Sequence, residues 1–370
     1  MKFVKQQSRS LLTSAFFSLK NHLYLVSLIL PLFFVLSCSV SKKIPNNRIQ
    51  LTYLDDININ KTPDSLHFGG ISGIDFINDT LFMISDSGRE PKIFFSRLVT
   101  NEKKIELSSP RLLIDLKAPN GEYFDLESIR RLNRQEGFLI SSEGNIRKNI
   151  ETSILKIDQS GNILKNYQLP EEYQIKDKES EVIHNRGIEA MTFNENKSGF
   201  WFSTEFPLRS EGKPPKLFKS GAAQQFLFYD LKRDRVAAKF DYQLAPIPKI
   251  PLLPYSLNGL TGMLMISPKQ MITIERGFSA GWGKHSNRVK LFLVQSDEKL
   301  GKAKSVNKFL LLDLKKIKKQ LNTDRIDNIE GICFGPQLED GNKSIFLISD
   351  DNFSAYGDQI TQLIWLKLER

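Results

Sequence analysis

Nine acidic residues of this chain recur at matched places in the sequence. Glu127, Glu189 and Glu330 each follow an apolar residue and precede a small one. Asp86, Glu143, Glu205, Glu275 and the pair Asp350 and Asp351 each end a short apolar run further on. The polar position precedes the terminal acid by 14, 16, 16, 14 and 20 residues, with Ser72 and Thr261 standing where the other three units carry glutamate. Carboxylates that converge repel one another, so such a cluster requires a cation, bound protons or paired arginines. Oxygen ligands in number suit a hard cation, and Ca²⁺ accepts six to eight of them. The same groups, spared a metal, could move protons. As fold-forming devices they would instead pair with Arg or Lys, or accept backbone N–H bonds in turns.

Other chemistries have less support. Gly277-Phe278-Ser279-Ala280-Gly281 is a literal G-x-S-x-G. That motif needs a strand turning sharply into a helix, and here Trp282-Gly283-Lys284-His285-Ser286 leads to another strand. Beyond residue 37 only His67, His184 and His285 occur, too few for a histidine-rich centre. No phosphate-binding glycine loop is present. The basic residues do not interleave with aromatics along one strand, which argues against nucleic acid.

The acids are carried by a repeated unit. Five segments align on Ile71-Ser72-Gly73-Ile74, Leu126-Glu127-Ser128-Ile129, Ile188-Glu189-Ala190-Met191, Leu260-Thr261-Gly262-Met263 and Ile329-Glu330-Gly331-Ile332. Each is followed by a turn and a second apolar run, and the intervals leave room for two further strands. Four strands per repeat is the blade of a β-propeller, so the fold class expected is all-β, a propeller of five blades. The stretch 208–258, with Pro214-Pro215 and Pro246 to Pro254, leaves a degenerate sixth blade open. The last unit is one strand short, and the run from Ile49 to Ile59 is expected to supply it, because an unclosed ring exposes strand edges. Leu314 to Leu321 is the one helical candidate. Of the tryptophans, Trp282 is expected at the mouth and the other two in the core. Cys333, in an apolar run, reads as a small buried residue.

The N-terminal residues read as an address. Residues 1–37 hold four basic side chains and no acid. The apolar run from Leu23 to Leu36 is shorter than the about 20 residues of a comfortable bilayer span. Val35-Leu36-Ser37-Cys38 resembles a bacterial lipobox. The expected organisation is therefore a signal peptide over 1–37, a lipidated Cys38 with a tether over 38–48, and one domain over 49–370. The bilayer would be a partner through the acyl anchor, in the cell envelope and facing the periplasm or the outside. Without 1–37 the formal net charge falls from +10 to about +6.

Asn185-Arg186-Gly187-Ile188-Glu189-Ala190, Glu275-Arg276-Gly277-Phe278-Ser279 and Asp350-Asp351-Asn352-Phe353, with Gln359-Ile360-Thr361-Gln362, resemble the bacterial phytase-like family described by an "esterase-like activity of phytase". The resemblance spans roughly 65–370. It implies an exported propeller that hydrolyses phosphate or other esters. On that footing Glu189, Glu205, Glu275 and Arg276 are the catalytic candidates. Glu127, Glu330, Asp350 and Asp351 would hold Ca²⁺. Asp86, Arg89, Glu143 and Arg186 would meet a phosphorylated or ester small molecule, with Lys284 a further phosphate contact. The alternative is a non-catalytic propeller that binds a protein, a glycan or a small ligand.

Overall fold

A computed structural model describes residues 49–59, 67–101, 103–117, 123–133, 136–176, 179–355 and 358–369. The expected signal segment, Cys38 and the expected tether lie outside these. Residues 44–370 form a compact unit. Its described residues fold as five four-stranded antiparallel sheets arranged as a propeller.

Blade 1 runs Ile71–Ile77, Thr80–Ser85, Lys92–Asn101 and Arg111–Asp115, with Lys104–Leu107 paired to the extended third strand. Blade 2 comprises Leu126–Arg131, Phe138–Ser142, Ser153–Ile157 and Ile163–Asn166. Blade 3 comprises Ile188–Phe193, Gly199–Thr204, Ala223–Asp230 and Arg235–Gln243. Blade 4 comprises Ser256–Ser267, Gln270–Ser279, Asn287–Gln295 and Asn307–Asp313. Blade 5 takes Asn328–Phe334, Lys343–Asp350 and Gln362–Glu369, and its outermost strand is the N-terminal Gln50–Asn58. That strand pairs antiparallel with the last one, Gln50 opposite Glu369 and Asn58 opposite Gln362. The ring is thus closed by the first strand of the domain.

There is no sixth blade among the described residues. The segment 208–258 supplies the outer strands of blade 3 and a proline-rich loop. Nor is there a helix over Leu314 to Leu321. Two 3₁₀ turns, Leu314–Lys316 and Lys318–Gln320, occupy the stretch. Asp313 accepts a bond from the Lys315 amide and starts the first turn, and Leu314, Ile317 and Leu321 are buried beneath it. Four lysines within five residues oppose propagation of so short a helix.

The repeated tetrapeptide has a structural explanation. In every blade the register between the first and second strands slips at the tetrapeptide: between Ile71 and Gly73, Leu126 and Ser128, Ile188 and Ala190, Leu260 and Gly262, and Ile329 and Gly331. The residue at the slip is always the polar one. A bulge re-aims its side chain out of the alternation of the strand. The flanking apolar residues stay between blades, where Ile71, Leu126, Ile188, Leu260 and Ile329 are buried. The small residue is needed because the inner strands converge on the axis. A Cβ on Gly73 would lie 2.6 Å from the carbonyl oxygen of Glu127 in the next blade.

Beneath the bulges one side chain closes the central channel. Arg130 is buried and donates from Nη1 to the carbonyls of Ile74 (2.9 Å) and Ile129 (2.7 Å). From Nη2 it donates to those of Met263 (3.2 Å) and Ile332 (3.1 Å). Four of the five blades are thereby tied to one guanidinium.

Candidate functional site

Above Arg130 the propeller opens into a cavity of about 850 Å³. The inner strands begin at this mouth and the second strands end there, so the repeat delivers both sets of acids to one place. The ring is uneven by chemistry. Ser72 Oγ donates to the carbonyl of Leu126 (2.6 Å) and Thr261 Oγ1 to that of Ile329 (3.1 Å). These hydroxyls stitch neighbouring blades together, whereas Glu127, Glu189 and Glu330 at the same position face the cavity.

Nine carboxylates and four cationic side chains line the cavity. The cations are not evenly shared. Arg325 is engaged by Asp327 (3.3 Å) and Asp358 (3.3 Å). Arg186 Nη1 pairs with Glu205 Oε2 at 3.0 Å, and its Nη2 donates to the Tyr255 hydroxyl at 3.1 Å. Arg276 Nη2 bridges Glu205 Oε1 and Glu330 Oε1, each at 3.3 Å. Among the described residues, Asp86, Asp125, Glu127, Glu143, Glu189 and Asp350 are left without an ion pair.

Their hydrogen bonding is also incomplete. Asp125 Oδ2 accepts from the Tyr123 hydroxyl (2.7 Å) and Glu143 Oε1 from the Gly187 amide (3.1 Å). Asp350 accepts from the Asn352 amide (2.6 Å) and weakly from Asn328 Nδ2 (3.4 Å). Asp86 Oδ1 is buried with no partner. Glu127 and Glu189 have no hydrogen bond to any described residue. Burial foremost, and then the neighbouring carboxylates, push Asp86, Glu127, Glu143, Glu189 and Asp350 well above the ordinary range. Burial lifts Asp125 to about 6. Glu330 is lifted to about 7 by burial, with Arg276 opposing the rise.

Such a group of acids is unstable as bare carboxylates. The donor set fits a hard cation. One oxygen each from Asp125, Glu127 and Glu143 lies within 4.8 Å of the other two. Tyr123 and the Gly187 amide orient two of the three, as outer partners of metal ligands do.

Of the residues expected from sequence, Asp86, Glu127, Glu143, Arg186, Glu189, Arg276, Glu330 and Asp350 are brought together on the cavity wall, with Lys284 at its rim. Four others are not on it. Glu205 lies just behind the wall, fully buried between Arg186 and Arg276. Glu275 is turned into blade 4, where Tyr242 (2.8 Å), Asn258 (2.7 Å) and the Ala245 amide (3.1 Å) donate to it and Lys308 pairs with it. Asp351 accepts from the amides of Gly70 (2.8 Å) and Phe353 (3.1 Å) and holds the loop between blades 5 and 1. Arg89 is exposed on the turn after Asp86. Ser279 ends a strand rather than an elbow, is buried, and donates to the Lys249 carbonyl at 2.6 Å. It is no nucleophile in this arrangement.

Sequence reasoning missed Asp125, Asp327, Arg325 and Tyr255. Asp125 had a signal: it opens the repeat at a position that is glycine in blades 1, 3 and 4 and Asn328 in blade 5. The other three lie on connecting segments with no repeat to mark them.

Fold and site together define a five-bladed β-propeller with an acidic, arginine-bordered cavity at one mouth. Residues 66–353 match the phytase-like family, described as "esterase-like activity of phytase", and the chain belongs to that family. Solved structures similar to it include the RS223 β-xylosidase (9% identity, 87% of this chain and 95% of that one, TM-score 0.43). An exo-1,5-α-L-arabinanase from a bovine ruminal metagenomic library is similar at 10% identity, over 81% and 97% of the two chains, with a TM-score of 0.41. The tail fibre of Staphylococcus aureus phage P68 aligns at 9% identity over 88% of this chain and 54% of its own, TM-score 0.42. No curated protein matches the sequence.

Proposed function

We propose that the protein is a calcium-dependent hydrolase of phosphate esters, acting at the acidic mouth of the propeller. The observation that carries this reading is the set of six cavity carboxylates without an ion pair beside two arginines that face the same space. Asp125, Glu127 and Glu143 would hold the cation, with Glu189 adjacent. A cation bound there would neutralise the acids, draw phosphoryl oxygens toward it and polarise them.

The chain's own groups divide the remaining work. Arg186 and Arg276 present guanidinium donors suited to phosphoryl oxygens. Glu205, behind them, fixes both planes, so they are oriented before a substrate arrives. Glu330 Oε1 is occupied by Asn328 Nδ2 (2.9 Å) and Arg276, which leaves Oε2 to carry the proton that a leaving oxygen requires.

The test is calorimetric titration of residues 44–370 with calcium, with thermal melts and a panel of phosphate esters alongside. Heat of binding, a raised melting temperature and ester turnover that Glu127→Gln weakens together are the expected result. No heat and no thermal shift up to millimolar calcium would end the metal reading and leave a ligand-binding propeller.

The anchor expected at Cys38 belongs to the same proposal. Gln50 pairs with Glu369 at the face opposite the cavity. The anchor would thus precede, in the chain, the strand that closes the ring. Intact-mass analysis of membrane-extracted protein should show an acylated Cys38 as the first residue, and Cys38→Ser should release the protein from the membrane fraction. An unmodified N-terminus would remove the anchor from the proposal.

A further inference from the structure

The proline-rich loop before blade 4 carries an uncommon surface. Ile250, Leu252, Leu253 and Tyr255 are 58%, 61%, 59% and 52% exposed, and Trp282 beside them is 38% exposed. Scattered exposed apolar residues are ordinary, but a contiguous group of this size marks a contact surface.

This group is held in place by its backbone. The amides of Leu252 and Leu253 donate to the Ala280 carbonyl at 2.8 and 3.2 Å, and the Ala280 amide donates to the Tyr255 carbonyl at 2.9 Å. Trp282 Nε1 donates to the Ile250 carbonyl at 2.9 Å, and Lys249 Nζ sits 3.7 Å from the centre of the indole ring. A loop that spends this many hydrogen bonds on displaying apolar side chains to water has them preorganised for a ligand.

The surface runs into the cavity. Leu253, Tyr255, Leu257 and Phe278 form its apolar wall, and the Tyr255 hydroxyl is the partner of Arg186. Reading outward, one meets the carboxylates, then Arg186 and Lys284, then an apolar strip that ends on Leu252 and Trp282. That order suits a ligand with an anionic head inward and an apolar tail outward.

We infer that the substrate is amphiphilic: a phosphate ester of an apolar alcohol, with its phosphate at Arg186 and its hydrocarbon along the strip from Tyr255 to Trp282. This rests on the phosphate-ester reading above and narrows it away from small polyol phosphates. The strip is the specificity element, and the occupant is the tail of the substrate itself.

Trp282 supplies the readout, because Trp201 and Trp365 are buried. Residues 44–370 are a compact unit with a closed ring and their own core, so they can be tested alone. Butyl, hexyl, octyl and decyl phosphate, below their micellar concentrations, would be titrated against tryptophan fluorescence with and without calcium. Calcium binding would be read by calorimetry on the same samples. The inference expects a blue shift and an affinity at least about tenfold tighter for decyl than for butyl phosphate, since each covered methylene adds to binding. Leu252→Ser with Leu253→Ser should flatten the chain-length dependence without lowering the melting temperature, and Trp282→Phe should abolish the signal. Affinity independent of chain length overturns the inference even if calcium binds and short esters are cleaved. An equal shift from an uncharged decyl glycoside overturns it as well, because the strip would then be a surface without a head-group site. Chain-length dependence in a protein that binds no calcium supports the strip and removes only the metal.

Discussion

Arg276, near the end of the second strand of blade 4, reaches into blade 5 and places Nη2 3.3 Å from Glu330 Oε1. The same nitrogen lies 3.3 Å from Glu205 of blade 3, so one guanidinium from blade 4 joins carboxylates of blades 3 and 5. Breaking a buried pair from one side leaves an uncompensated charge. Arg276→Met should therefore destabilise the propeller by about 3–5 kcal/mol in urea denaturation. A change under about 0.5 kcal/mol would show that these carboxylates are not held by Arg276.

Stability of the calcium-free protein should fall as pH rises. The cavity acids have folded-state pKa values above their unfolded ones, so between the two values the folded state binds more protons and each upward step in pH disfavours it. The window opens at the ordinary carboxylate range near 4. It runs through about 6 for Asp125 and about 7 for Glu330. Melts in chelator should lose several degrees between pH 5 and 7.5, and saturating calcium should cancel or reverse the trend. A flat calcium-free profile across that window would contradict the burial of unpaired carboxylates.

Glu127→Gln removes a charge from the triad that would hold the metal. Two opposite effects are expected. The calcium-free protein should melt higher, because Glu127 is opposed by Glu189, Glu143, Asp125 and Glu330. Calcium affinity should drop by about tenfold or more, and the stabilisation it confers should shrink with it. If both quantities move in the same direction, Glu127 is not a ligand.

Arg130 lies below the cavity and touches none of its carboxylates. Arg130→Met should strand carbonyls of Ile74, Met263 and Ile332 in the channel, at roughly 1–3 kcal/mol for a buried group left unpaired. The expected loss of stability comes with unchanged calcium affinity in whatever fraction stays folded. Calorimetry and denaturation on one preparation separate the two, and a coupled loss would place the metal nearer the channel than the acidic triad.

Much of the architecture was legible in the chain. Five copies of an apolar–polar–small–apolar tetrapeptide, each followed by a second apolar run, specify the inner half of five blades, and the surplus strand before residue 60 specifies closure. The bulge was legible only as its trace, a polar residue where strand alternation calls for an apolar one. The helix expected near Leu314 was misread because its spacing of buried residues suits either a helix or two tight turns over a hydrophobic floor.

The site divides differently. The sequence by itself determined which acids share a position within a blade, since the repeat places Asp86, Glu143, Glu205, Glu275 and Asp350 at the ends of equivalent strands. Only the tertiary structure decided what each became. Glu205 meets arginines at 186 and 276, Glu275 meets Tyr242 and Lys308, and Asp86 keeps an oxygen without a partner. The physical reason is that a repeat fixes the backbone of its own blade. The charge state and freedom of a buried carboxylate depend on groups contributed by neighbouring blades and loops, which lie far away in the chain, 71 residues for Arg276 and Glu205, and follow no period.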